Sequence, residues 1–176
     1  MDITIKSIDG KRRHTFKDVT NFLQALESAV ADGTDFSKFD FSGVSLRNAD
    51  LASGKFVGAD FSYADLTEAD LRDADLSGAN FQHAQLAHAQ LFGAQAPGAD
   101  FEEADLSHGD LRLTNLVAAN FKMAFLGWVD FYEANLTRAD LSWSATFGAK
   151  INGTNLSGIK TEGTDLQWTG SPAKAS

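Results

Sequence analysis

From Phe36 onward the chain keeps a stride of five. Stepping from Phe36 to Leu166 visits 27 positions, of which 24 are Leu, Phe or Ile, and the phase never slips. Two residues before each of these centres runs a second row, alanine at 16 of 27 places and unbroken from Ala59 to Ala104. The residue between the two rows is polar as a rule, with Asp at 13 of 27. ADLTE, ADLRD, ADLSG and ANFQH are typical units.

Neither regular element accounts for that stride. On an α-helix five residues turn about 140°, so the leucines would spiral around the surface. On a flat strand an odd step throws alternate centres to opposite faces. The spacing predicts a solenoid in which each unit supplies one side and one corner. The centre and the small residue two before it point inward, and the other three point out. Phenylalanine centres recur at a separation of 20 five times, as 36 with 56 and 41 with 61, but at 15 only once. Like residues stack in register between coils, so four units make a coil, and Phe41, Phe61, Phe81, Phe101 and Phe121 form one internal column. The 27 units make just under seven coils, and at ~4.8 Å per coil the rod is about 32 Å long.

Glycine stands two residues after the centre in 9 of 27 units, where a corner calls for turn conformations. Ala96 followed by Pro97 predicts a pinched side or small bulge, since proline cannot donate a hydrogen bond. Thr146 and Thr161 at centres predict coils that loosen toward the C-terminus.

Residues 1–33 lack the repeat. DITIKS and KRRHTF flank IDG as a short hairpin. Asp18 or Thr20 would cap a helix to about Ala31, with Phe22, Leu23, Leu26 and Val30 on one apolar face. This segment is expected to cover the first coil. The chain thus divides into a cap over 1–33, a solenoid over 34–168 and a flexible tail over 169–176.

Composition acts mainly by exclusion. The chain has no cysteine, which rules out disulfides, thiol catalysis and cysteine metal sites. No signal-like or membrane-spanning run is present, so a cytoplasmic location without membrane contact is expected. The net charge is −9, and residues 34–168 hold 19 acidic against 9 basic side chains. No basic patch is visible, so direct nucleic-acid binding is not expected. The rod carries one net negative charge per about 3 Å, roughly half the density of duplex DNA at one per ~1.7 Å.

The unit resembles the A(D/N)LXX repeat of the pentapeptide-repeat family, and the resemblance spans Thr34 to Trp168. It implies an all-β solenoid, a right-handed quadrilateral β-helix, here with a hairpin-plus-helix cap. Gyrase-regulating members of the family usually carry a C-terminal helical element that pairs two rods, and TGSPAKAS supplies none.

Enzyme chemistry finds no foothold, and no cofactor is expected. No HExxH, P-loop, GxSxG or dinucleotide fingerprint occurs. His88 and His108, followed by Trp128, are outward neighbours and read as solvent-facing rather than as a metal site. Asp50, Asp70, Asp110 and Asp130 form an acidic column interrupted by Gln90, and Asp40, Asp60, Asp100 and Asp140 form another with Asn80 and Asn120 between. Arg72, Phe92, Arg112 and Tyr132 alternate along one column as a binding face would. Outward apolar residues, namely Phe92, Leu113, Val117, Met123, Phe125, Trp128, Tyr132 and Trp143, make a candidate partner surface where contiguous. Ile159, Leu166 and Trp168 mark the last coil as a candidate homodimer contact. The reading is a non-catalytic scaffold for another protein. The alternative, implied by the resemblance and the acidic rod, is a DNA mimic that binds DNA gyrase or topoisomerase IV.

Overall fold

The computed structural model describes residues 1–173. Each unit from Phe36 to Thr161 closes its corner with the same turn. The amide three residues after the centre donates to the carbonyl of the centre, as Ala59 does to Phe56 and Ala64 to Phe61, both at 3.0 Å. The residue before that donor has positive φ in every unit from Lys38 to Gly163, as at the third residue of a type II turn. Nine of these places are glycine, and the others, Tyr63, Arg138 and Trp143 among them, are held at φ of 53° to 64°. Side chains disfavour that region by about 1 kcal/mol or more, so stacking between coils imposes the corner where glycine does not supply it.

Two further amides per unit donate forward to the next coil and one donates back. Phe61 donates to Asn80 at 2.7 Å, Tyr63 to Gln82 at 2.9 Å and Asp60 to Phe39 at 2.9 Å. The resulting bridges are parallel and advance by 20 residues from Asp35–Lys55 to Ala145–Asp165, which makes four units per coil. One amide is left, on the residue just after the centre. In every unit with Asp or Asn before the centre, from Asp35 to Asn155, that side chain's Oδ1 accepts from it. The acid-rich row is therefore a row of corner caps, each an Asx-turn.

The Leu, Phe and Ala rows fill the bore and are fully buried along most of its length. Phe41, Phe61, Phe81, Phe101 and Phe121 stack as expected, with centroids 4.9–5.1 Å apart and planes within 9°.

Pro97 does not pinch the wall. Ala96 donates to Asn115 at 2.9 Å, Gly98 to Val117 at 2.8 Å, and the Pro97 carbonyl accepts from Gly78 at 2.9 Å. Pro97 occupies the one place in the unit whose amide no backbone carbonyl takes, and Pro-Gly suits this turn. At Thr146 the forward bond from the amide is missing, but the residue stays buried and its Oγ1 donates to the Asp165 carbonyl in its place, at 2.7 Å. The register shifts only beyond Asp165, where Ile151 reaches Thr169 and Gly153 reaches Ser171, 18 residues ahead. The segment 169–173, assigned above to a flexible tail, instead lies along the preceding coil, with Thr169 and Ala173 donating to Ala149 and Thr154. The rest of that tail, 174–176, lies outside the described residues.

The N-terminal segment folds as a hairpin of β1 (Ile3–Lys6) and β2 (Arg13–Phe16), followed by α1 (Phe22–Ala31). Asn21 caps the helix, not Asp18 or Thr20, and its Oδ1 accepts from the Gln24 amide. Leu26 and Val30 are buried, and Phe16 stacks over Phe36. The hairpin covers the first coil through a Ser7–Phe39 bridge and an Asp40-to-Lys6 bond of 2.9 Å. Glu27 Oε1 accepts from the Asp50 amide at 2.9 Å, replacing the carbonyl that a preceding coil would offer.

Candidate functional site

The acidic column Asp50, Asp70, Asp110, Asp130 and the column Arg72, Phe92, Arg112, Tyr132 lie side by side on one wall. Arg72 forks onto Asp70 with Nε–Oδ1 at 2.9 Å and Nη2–Oδ2 at 2.5 Å. Arg112 forks onto Asp110 with both bonds at 2.7 Å, and Lys150 Nζ lies 3.4 Å from Asp130. The Arg112 guanidinium also sits 5.4 Å from the Phe92 ring centre, within cation–π range. Three of the four acids are thus answered by bases of the same wall. The hydrogen bond from Arg72 holds the Asp70 carboxyl below the usual range. At Asp110 partial burial pushes upward, but the Arg112 side chain and amide outweigh it and the net shift is also down. Glu133 beside Tyr132 pushes its phenol up.

The second acidic column is a hydrogen-bonded ladder. Asn80 Nδ2 donates to Asp60 at 3.0 Å and Asn120 Nδ2 to Asp100 at 2.8 Å. Lys122 and Lys160 reach Asp140 at 3.6 and 3.5 Å. Beyond the Asp40–Asp60 pair, amides between carboxylates keep like charges from facing each other directly.

Trp128 stands at the corner leading into the first wall, but its contacts face the other way. It stacks on His108 at 6.4 Å and meets Phe147 edge-on at 5.0 Å. The adjacent wall, between the corners at Met123 and Trp143 and those at Trp128 and Gly148, carries Met123, Phe125, Trp128, Trp143 and Phe147. These five are 49–60% exposed. Both indoles lie against the glycine one coil ahead, Trp128 over Gly148 and Trp143 over Gly163. The sequence reading named four of the five. It passed over Phe147, which follows the atypical centre Thr146. The signal was available, since the place after a centre faces outward in every unit.

Phe92 and Tyr132 belong to the first wall and Val117 to the wall beyond the corner at Leu113, so the apolar set read from sequence is spread over three sides of the rod. At the last coil, Ile159 and Trp168 are half-buried against the core and only Leu166 is exposed. His88 and His108 stack at 4.9 Å, and no three His, Asp or Glu among the described residues are placed to share a metal ion.

Charge is unevenly spread along the rod. Residues 34–120 hold 14 acidic and 5 basic side chains, whereas 121–168 hold 5 and 4.

A family model described as pentapeptide repeats matches in eight copies, over residues 26–62, 55–91, 84–122, 98–131 and 110–144. No curated protein sequence matches the chain. Among solved structures, Rfr23, a pentapeptide repeat protein from the cyanobacterium Cyanothece 51142, is similar at 28% identity and a TM-score of 0.50. That match covers 52% of this chain and 64% of Rfr23, so the chain spans just under two thirds of that protein. HetL from the cyanobacterium Nostoc sp. strain PCC 7120, involved in heterocyst differentiation regulation, is 29% identical over 78% of both chains with a TM-score of 0.35. QnrB1, a plasmid-mediated fluoroquinolone resistance protein, is 22% identical over 76% of this chain and 86% of its own, with a TM-score of 0.47. With the stride of five, the twenty-residue coil and the repeat match in agreement, the chain belongs to the pentapeptide-repeat family and folds as its right-handed quadrilateral β-helix.

Proposed function

We propose that the chain is a non-catalytic scaffold that presents its acidic coils, residues 34–120, to a basic surface on another protein. The observation that carries this reading is the charge gradient. Fourteen acids against five bases in that stretch amount to one net charge per roughly 2.3 Å of rod at ~4.8 Å per coil, approaching the ~1.7 Å of duplex DNA. The hydroxyls and carboxylates that could suggest catalysis are engaged in corners, as Ser42 with Asp40, Thr67 with Asp65 and Ser77 with Asp75. A cytoplasmic setting goes with this reading, and no helix among the described residues is long and apolar enough to cross a membrane.

The same charge density favours a second reading, in which this stretch mimics DNA and binds a type II topoisomerase such as DNA gyrase. One variant set tests both. Glu68, Asp73 and Glu103 are exposed and cap no corner, so E68Q/D73N/E103Q lowers the charge without touching the Asx-turns. On the scaffold reading, a partner captured from host lysate is retained by the native chain at low salt and lost with the variant. A partner held equally by both would sink it. For the second reading, purified gyrase should lose supercoiling activity, or gain protection from a fluoroquinolone, at micromolar native protein. Neither effect at that concentration would reject it.

A further inference from the structure

Five of the eleven large apolar residues exposed among the described residues lie on the one wall over two successive coils: Met123, Phe125, Trp128, Trp143 and Phe147. Phe125 is the telling one. Its place is Asp or Asn in 18 of 27 units, and seven of the other nine keep a polar side chain. Only Phe125 and Ala145 are apolar there, and they are neighbours in one column, paired across adjacent coils. Both units forgo the side-chain cap on the following amide and put apolar surface in water instead. A local rule broken without gain to the fold marks a site that serves something else.

We infer that this wall is the contact through which two copies of the chain associate. Five side chains, each exposing about half of ~200 Å², offer roughly 500 Å² of apolar surface. A standard interface takes ~800 Å² per partner, about 65% of it apolar in homodimers, which is the same ~500 Å². Charge points to a second copy rather than a basic partner. Residues 121–168 are nearly neutral, with 5 acids and 4 bases. The flanks of the wall are already paired, Asp140 with Lys122 and Lys160 on one side and Asp130 with Lys150 on the other. A two-fold axis through the wall sends the acidic coils of the two copies in opposite directions, so their like charges stay apart. The wall also complements itself. Phe125 stands exposed one coil before a recess lined by Ala145, Phe147, Asp165 and Gln167. In an isologous pair each Phe125 meets the recess of the other copy. This contact lies on the side of the rod, away from the last-coil contact read from Ile159, Leu166 and Trp168.

Light scattering of the full chain at micromolar concentration is expected to give twice the 18.9 kDa chain mass. F125D puts the commonest residue of that row back. It should return the corner cap and so raise the melting temperature measured at concentrations too dilute for association, while weakening association by about 30-fold or more, as loss of an interface hot spot does. Because the chain has no cysteine, A145C placed near the axis should cross-link to itself on oxidation, and S53C in the acidic coils should not. A native chain that stays monomeric overturns the inference. So does a dimer untouched by F125D, or one lost with L166D and kept with F125D, which would move the contact to the last coil.

Discussion

Phe81→Leu tests what holds the bore. Phe81 is fully buried, with its ring 5.1 Å from Phe61 and 4.9 Å from Phe101 and planes within 6°. Leucine fills the same inward place in most units, so the backbone accepts the substitution and most of the volume is kept. What disappears is two stacked contacts, each contributing about 0.5–1.5 kcal/mol beyond area burial. The expected loss is therefore about 1–3 kcal/mol, with a smaller addition from the unfilled space. For a chain of this size 1 kcal/mol shifts the melting temperature by about 2–4 °C, so thermal unfolding should move down by roughly 2–12 °C. Leu111→Met, which conserves volume in a column without aromatic stacking, should stay within about 1.5 kcal/mol and serves as the control. Equal shifts for the two variants would refute the claim that ring stacking, beyond hydrophobic filling, stabilises the coil register.

Pro97→Ala should lower stability by about 0.4–1 kcal/mol, because the proline restricts the unfolded chain at a place where no amide is needed; a gain in a urea melt would contradict that placement. Gly148→Ala should cost more, since Gly148 has φ of +72° and its hydrogen faces the Trp128 indole. Combining it with W128A should recover over about 0.5 kcal/mol of that cost in a double-mutant cycle. Asp35, Asp65, Asp70, Asp110 and Asp140 all have carboxyl pKa values lowered by folding. With the folded values below the unfolded one of about 3.9, their contribution is present above that pH and is lost as pH falls through the folded values. The urea midpoint should accordingly drop below about pH 4 and drop less steeply in R72A/R112A.

The architecture was legible because inward positions obey one rule. Leu, Phe and Ala recur with no slip from Phe36, and the Phe spacing alone set the coil at 20 residues. The corners were legible only in part. Glycine at Gly43 or Gly58 announced a turn, but Lys38, Tyr63 and Trp143 adopt the same positive φ, because stacking between coils decides it and propensity does not. The Asp row was read only in part, for a related reason. As a string it looks like an acidic surface, and its duty emerges only when each amide is followed to its acceptor. Pro97 was misjudged by the same omission, since the amide it lacks is the one that no backbone carbonyl takes.

Outward positions follow no such inward rule, so a site among them is hard to separate from ordinary variation by composition alone. An exposed Tyr63 or Leu113 breaks nothing and needs no explanation. Phe125 differs once the caps are known, because it leaves the cap unmade and, unlike Lys55 or Gln85, puts no polar group in its place. That turns the question from which residues are apolar to which residues the fold would have chosen otherwise. By this standard the wall of Phe125 and Ala145 stands apart from the column Asp50 to Asp130, whose acids all cap their corners and of which Asp70 and Asp110 also hold an arginine. Replacing Asp70 therefore perturbs stability and binding together, whereas replacing Phe125 separates them, with the stability of the unassociated chain rising as association falls.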